Sequence, residues 1–135
     1  MTFDLRRLKI LLIDDDPFIR STIRQILDIV GVAGANVYEA DSVLAGMRET
    51  LHMRPDLVFC DIHMPDQDGF VYVAQLRQTR IGEVGATPVV MLTTESGEQA
   101  VLEAKSLHVS GYLLKPVSVN AVKNALNRAL KVQKP

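Results

Sequence analysis

Five short apolar runs alternate with five segments of helical period along this chain, and that alternation limits the fold more than any other feature. The runs are KILLI (9–13), ANVYEA (35–40), DLVFC (56–60), PVVML (88–92) and GYLLK (111–115). Most are continuously apolar rather than alternating, as expected of parallel strands covered on both faces. ANVYEA carries polar positions and suits a sheet edge. Between the first two runs, Ile19, Ile23, Ile26, Leu27 and Val30 recur at i, i+4, i+7, i+8 and i+11, a single apolar stripe that Gly31 brings to a stop. Segments 42–53, 68–79, 98–107 and 118–132 read similarly, less cleanly where Gly46 interrupts the second. The stretch TRIGEVGAT (79–87), with two glycines, reads as a flexible loop. Strands alternating with helices predict an α/β domain with a mainly parallel sheet and right-handed crossovers. In such sheets ligands bind beyond the carboxyl ends of the strands, near a switch in strand order.

Size and charge narrow the function classes. A chain of 135 residues fits a single domain, 1–135, large enough to bury a core without staples. Fifteen basic against sixteen acidic residues, net −1, give no bulk attraction to nucleic acid or to an anionic membrane. The single cysteine, Cys60, cannot form an internal disulfide and lies in an apolar run, where inert packing is the expectation. No apolar stretch approaches a membrane span, and MTFDLRRLK lacks the apolar core of a signal peptide. These features predict a cytoplasmic protein.

The strand ends carry the chemistry. The first ends in Asp14–Asp15, the third in Asp61, the fourth in Thr93–Thr94 and the fifth in Lys115–Pro116. Carboxylates converging at close range raise one another's pKa and destabilise the fold unless a cation joins them. Mg²⁺ suits such a set because it takes oxygen ligands and keeps several waters. The site is then built to receive a phosphoryl group, with the metal and Lys115 neutralising its oxygens and Thr93 donating to one. No Ser or Cys is suitably placed, so the nucleophile is a carboxylate, and Asp61 stands alone at a central strand end. The bland alternative is that acidic residues at strand ends only cap the following helices. That serves for one pair, but not for four polar strand ends with this sign pattern.

LLIDDDP, DLVFCDIHMPDQDGF, PVVMLTT and GYLLKP, in this order and spacing, resemble the response-regulator receiver domains of two-component and phosphorelay signalling. The resemblance spans about residues 8–132 and is of the chemotaxis-regulator-like kind. It implies a doubly wound, flavodoxin-like fold with five helices and strand order 2-1-3-4-5. It implies that Asp61 accepts a phosphoryl group from the phosphohistidine of a sensor histidine kinase or a histidine phosphotransfer protein. It implies further that Asp14, Asp15, Asp61 and the backbone carbonyl of His63 organise Mg²⁺, and that Thr93 and Lys115 bind phosphoryl oxygens. Tyr112 matches the switch aromatic that moves inward as Thr93 is drawn to the phosphoryl group. The Lys115–Pro116 bond is expected to be cis. His63, Thr94 and Glu95 occupy or adjoin places where family members vary the lifetime of the phosphorylated state. A downstream protein or output domain would meet the face built by the fourth helix, fifth strand and fifth helix, around Tyr112, Lys105 and Lys123. Direct nucleic-acid or membrane contact is not expected, and dimerisation on phosphorylation stays open.

Asp16 precedes Pro17, the pairing of an N-cap with a first helical residue, so it is expected to cap rather than to ligate. DQDG (66–69) lacks the acidic partners of a calcium loop and reads as the turn that starts the third helix. His52 and His108 have no metal spacing, whereas His63 either touches the phosphoryl group or its attacking water, or is a solvated loop residue. Two other functions fit the same fold. An aspartyl-phosphate hydrolase resembling the haloacid dehalogenase-like phosphatases needs an aspartate two residues after the nucleophile, where this chain has His63. A non-catalytic adaptor would be marked by loss of Asp61, Lys115 or the acidic pair, and all are present.

Overall fold

A computed structural model describes residues 4–65, 67–94 and 106–133. The five apolar runs form β1 (Ile10–Ile13), β2 (Val37–Ala40), β3 (Leu57–Asp61), β4 (Val89–Thr93) and β5 (Gly111–Leu114). They pair in parallel in the order β2-β1-β3-β4-β5. Four helices lie among the described residues: α1 (Pro17–Val30), α2 (Val43–Met53), α3 (Gly69–Arg77) and α4 (Val119–Gln133). The helix expected over 98–107 falls mainly on residues 95–105, outside the described residues.

Successive strand residues point to opposite faces, so each strand feeds two cores. Ile10, Leu12, Leu57, Phe59, Val90 and Leu92 pack with α1 and α4. Leu11, Ile13, Val58, Cys60, Val89 and Met91 pack with α2 and α3 on the other face. The continuous apolar reading of β1, β3 and β4 follows from this double burial. β2 lies at the edge expected from its polar positions. β5 forms the other edge and is only partly covered, with Leu114 exposed despite its apolar sequence. The stripe on α1 faces the core through Ile23, Ile26 and Leu27, and Gly31 ends the helix at φ 120°.

α2 runs unbroken through Gly46, and the glycine is there for a packing reason. A Cβ there would stand 2.6 Å from Ile13 Cδ1, so its absence lets the helix lie close on β1. The loop at 79–87 departs from the flexible reading. It contains a short 3₁₀ turn, Val84–Ala86, with Val84 and Thr87 buried, and Arg77 donates to the carbonyls of Gly85 (3.1 Å) and Thr87 (2.7 Å). The same guanidinium donates to the carbonyls of Leu107 and His108, tying the loop to the approach to β5. Burial among carbonyls pulls the Arg77 pKa down from its ordinary value.

Between α2 and α3, Tyr72 and Thr50 meet at 2.7 Å in the core. Thr50 Oγ1 donates to the Gly46 carbonyl, so the Tyr72 hydroxyl is the donor to Thr50. Tyr72→Phe leaves Thr50 its acceptor and removes one buried hydrogen bond. It is expected to lower stability by about 1 kcal/mol in urea unfolding, with an unchanged denaturant slope. No helix among the described residues is long and apolar enough to cross a membrane.

Candidate functional site

Because the sheet is parallel, every strand ends at the same edge, and the predicted site residues collect there. Asp14 follows β1 with its side chain buried, Asp61 ends β3 at 4% exposure, and Thr93 ends β4 at 1%. Asp61 stands opposite Leu92 in the ladder, which places Thr93 one residue beyond it on the neighbouring strand. The Lys115 N–H donates to the Thr93 carbonyl at 2.8 Å, extending the β4–β5 ladder by one bond. From there the Lys115 ammonium reaches across the sheet edge to Asp14 Oδ2 (2.9 Å) and Asp61 Oδ1 (3.2 Å). The Lys115–Pro116 bond is cis, as expected.

The electrostatics follow from crowding like charges in a dry place. Burial, then the neighbouring Asp14 carboxylate, pushes the Asp61 pKa above the usual carboxylate value. Lys115 and the His63 backbone N–H act in the opposite direction without cancelling that rise. Burial works against the Lys115 ammonium, but Asp14 and Asp61 outweigh it and hold its pKa above that of an ordinary lysine. A carboxylate oxygen from each of Asp14, Asp15 and Asp61 lies within 4.8 Å of the others, with Asp15 exposed. Such an all-oxygen set, open to solvent on one side, fits a hard divalent cation that keeps part of its water shell. A metal ion could therefore be held by these three residues.

Of the three consecutive aspartates 14–16, the last does what its place before Pro17 predicts. Asp16 caps α1, its Oδ1 accepting from the Phe18 N–H at 2.8 Å with Pro17 in the first turn. Asp14 is tethered by all of its polar atoms. Its N–H donates to the Ala40 carbonyl at 3.1 Å, and its Oδ1 accepts the Asp16 N–H at 2.9 Å. Lys115 holds its Oδ2, and Arg20 Nη1 donates to its carbonyl at 2.6 Å.

Other expected residues are scattered around this centre. His63 and Thr94 are exposed beside it, and Tyr112 is partly buried on β5 against the core shared with α2 and α3. Lys123 is exposed on α4, and His52 and His108 are exposed elsewhere. Glu95, Lys105 and Asp66 lie outside the described residues. Cys60 is fully buried, its Sγ 3.4 Å from the Asp61 carbonyl, and burial pushes its thiol pKa well up.

Two residues escape the sequence reading. Gly69, expected only to start a turn, packs against the backbone of Asp61, where a Cβ would stand 1.9 Å from the carbonyl oxygen. The Gly69 N–H donates to the Ile62 carbonyl at 2.7 Å, and Asp68 caps α3 by accepting from Phe70. Arg20 is the other; its only sequence signal is the fixed offset from Asp14 on a helix that starts at Pro17.

Comparison with known proteins agrees with this geometry. A family model described as the response regulator receiver domain matches residues 10–127. KdpE of Escherichia coli, the KDP operon transcriptional regulatory protein, is 30% identical over 122 residues, covering 90% of this chain and 51% of that regulator. The chain thus spans about half of that relative's length. The chemotaxis protein CheY-3 of Vibrio cholerae is 28% identical and is matched over 92% of its length and 91% of this chain. The solved structure of CheY4 from the same species superposes with a TM-score of 0.79 at 28% identity, covering 90% of this chain and 98% of that one.

Proposed function

This chain belongs to the response regulator receiver domain family, and on that premise we propose that Asp61 is its phosphoacceptor. The observation that carries the proposal is the Lys115 ammonium shared between Asp61 and Asp14, beside a third carboxylate able to join them around a metal. In this reading Asp14, Asp15, Asp61 and the His63 carbonyl hold Mg²⁺. The bound ion would supply positive charge for the phosphoryl oxygens and for the attacking carboxylate.

An Asp61 carboxylate oxygen attacks phosphorus of a phosphohistidine on a sensor kinase or phosphotransfer protein. The O–P bond forms as the P–N bond breaks, and the imidazole leaves with the bonding pair and takes up a proton. Lys115 offsets the charge on one phosphoryl oxygen, and the Thr93 hydroxyl donates to another. Drawing Thr93 toward the phosphoryl group biases Tyr112 inward and changes the face around β5 and α4, where a downstream protein or output domain docks. His63, Thr94 and Glu95 tune how soon water removes the phosphoryl group. The chain catalyses only its own phosphorylation and dephosphorylation.

Incubation with acetyl phosphate and Mg²⁺, followed by intact mass measurement, is expected to show one added phosphoryl group per chain, mapping to Asp61. Chelation of the metal with EDTA should abolish the adduct. A chain that gains no adduct, or gains it equally in EDTA, would remove this reading. Multiple turnover on a small phosphate ester would instead favour a hydrolase.

A further inference from the structure

Asp14 and Asp15 sit together at the start of the loop that follows β1, and that loop must present them as a pair. The loop is braced on the side away from Lys115. Arg20 lies one turn into α1, with its guanidinium directed in two ways: Nε to Glu39 Oε1 at 2.8 Å, and Nη1 to the Asp14 carbonyl at 2.6 Å. Glu39 is fixed in turn. Its other oxygen accepts from Arg24 Nε at 2.9 Å, and Arg24 also donates to the carbonyls of Gly34, ahead of β2, and Val37, its first residue. Burial works against the Glu39 carboxylate, but the two arginines outweigh it and lower its pKa. A chain of contacts therefore runs from the edge strand through Glu39 and Arg20 to the peptide that carries Asp14.

We propose that Arg20 is a positioning residue for the metal site, its planar fork locking the Asp14–Asp15 turn to β2 so that both carboxylates are presented to one cation. The proposal rests on reading the acidic cluster as a Mg²⁺ site. Arg20 donates to the Asp14 carbonyl and leaves the Asp14 carboxylate to Asp16 and Lys115. Its role is thus to hold the turn rather than to compete for the ligand atoms. The planar guanidinium can serve two partners in fixed directions, which a point-like ammonium does less well.

Charge and position predict opposite signs, which makes the proposal testable. As a cation near the site, Arg20 repels Mg²⁺, so on charge alone its removal strengthens binding. As a brace, its removal weakens binding by about tenfold, the usual lower range for loss of a partner that orients a ligand. Calorimetric Mg²⁺ titrations at fixed ionic strength on wild type, Arg20→Met and Arg24→Met separate the two. Arg20→Met should bind Mg²⁺ about tenfold more weakly, and amide hydrogen exchange at Asp16 should be faster in the metal-free protein. Arg24→Met, which touches Glu39 but not Asp14, should stay within about twofold of wild type because it orients no ligand. Arg20→Lys keeps the charge beside Glu39 and guards against a variant that does not fold; it too should bind more weakly. Equal or tighter Mg²⁺ binding by the Arg20 variants overturns the positioning role while leaving the metal site intact. An equal loss in Arg24→Met overturns it as well, by assigning the effect to the edge as a whole. Absence of Mg²⁺ binding in wild type removes the metal site itself and this inference with it.

Discussion

Asp61→Asn is expected to abolish phosphorylation by acetyl phosphate and, in metal-free buffer at neutral pH, to raise the melting temperature. The two effects have one origin. A carboxylate placed in a buried position against Asp14 is a good acceptor once cations surround it, and a burden to the fold when they do not. Asparagine keeps the shape and one acceptor oxygen while removing the charge. The pH dependence fixes the sign. Asp61 has a pKa raised in the folded state, so the folded protein holds that proton more tightly than the unfolded chain does. Its contribution is most favourable below the usual carboxylate value and is lost as pH rises through the raised one. The advantage of Asp61→Asn should therefore shrink toward zero on acidification below the usual carboxylate value, and be fully developed at neutral pH. Thermal unfolding of both proteins across that range measures the difference, with each kcal/mol gained showing as about 3–5 °C. Added Mg²⁺ should stabilise wild type more than the variant, because only wild type offers the third carboxylate. A variant less stable than wild type throughout, without metal, would contradict the electrostatic account of this site.

The second large effect is expected at Gly69. A methyl group there meets the Asp61 carbonyl oxygen at 1.9 Å, with the Asp61 carbonyl carbon at 2.9 Å and the Ile62 Cα at 3.1 Å. All three are backbone atoms of Asp61, at the end of β3, and of the residue after it, so no side chain can turn aside to make room. Gly69→Ala is expected to destabilise the protein by about 3 kcal/mol, at the upper end of ordinary overpacking. It should also slow phosphorylation of the fraction that remains folded, since relief of the clash displaces the backbone of Asp61. Gly46→Ala is the contrast: its nearest obstacle is Cδ1, the far end of the Ile13 side chain, which can move. Urea unfolding of the two variants should rank Gly69→Ala as clearly the more damaging.

The difference between these glycines illustrates which parts of the molecule were legible beforehand. β1, β3 and β4 could be read because burial on both faces demands uninterrupted apolar residues, and their ends because Asp and Thr there are costly without partners. β5 has the same apolar reading but is an edge with partial cover, and hydrophobicity alone does not distinguish the two situations. Gly46 and Gly69 look alike in sequence, as helix interruption and turn signal. What matters at each is the atom opposite, which depends on tertiary packing. Arg20 and Arg77 were invisible for a related reason. Both work by donating to backbone carbonyls, and a carbonyl leaves no trace in the identity of its residue. The loop at 79–87 has a loop-like composition, yet Arg77 anchors it through such carbonyls.

The Lys115–Asp14 bond joins residues separated by 101 positions. Strand β1 cannot acquire its cationic partner until the crossovers through β3 and β4 are in place and β5 has docked at the far edge. Closing a longer loop costs more chain entropy, though the cost grows only slowly with length, so this contact depends on the rest of the sheet to hold its two ends together. A chain in which β5 has not docked would thus carry the acidic cluster but lack the ammonium that joins Asp14 to Asp61.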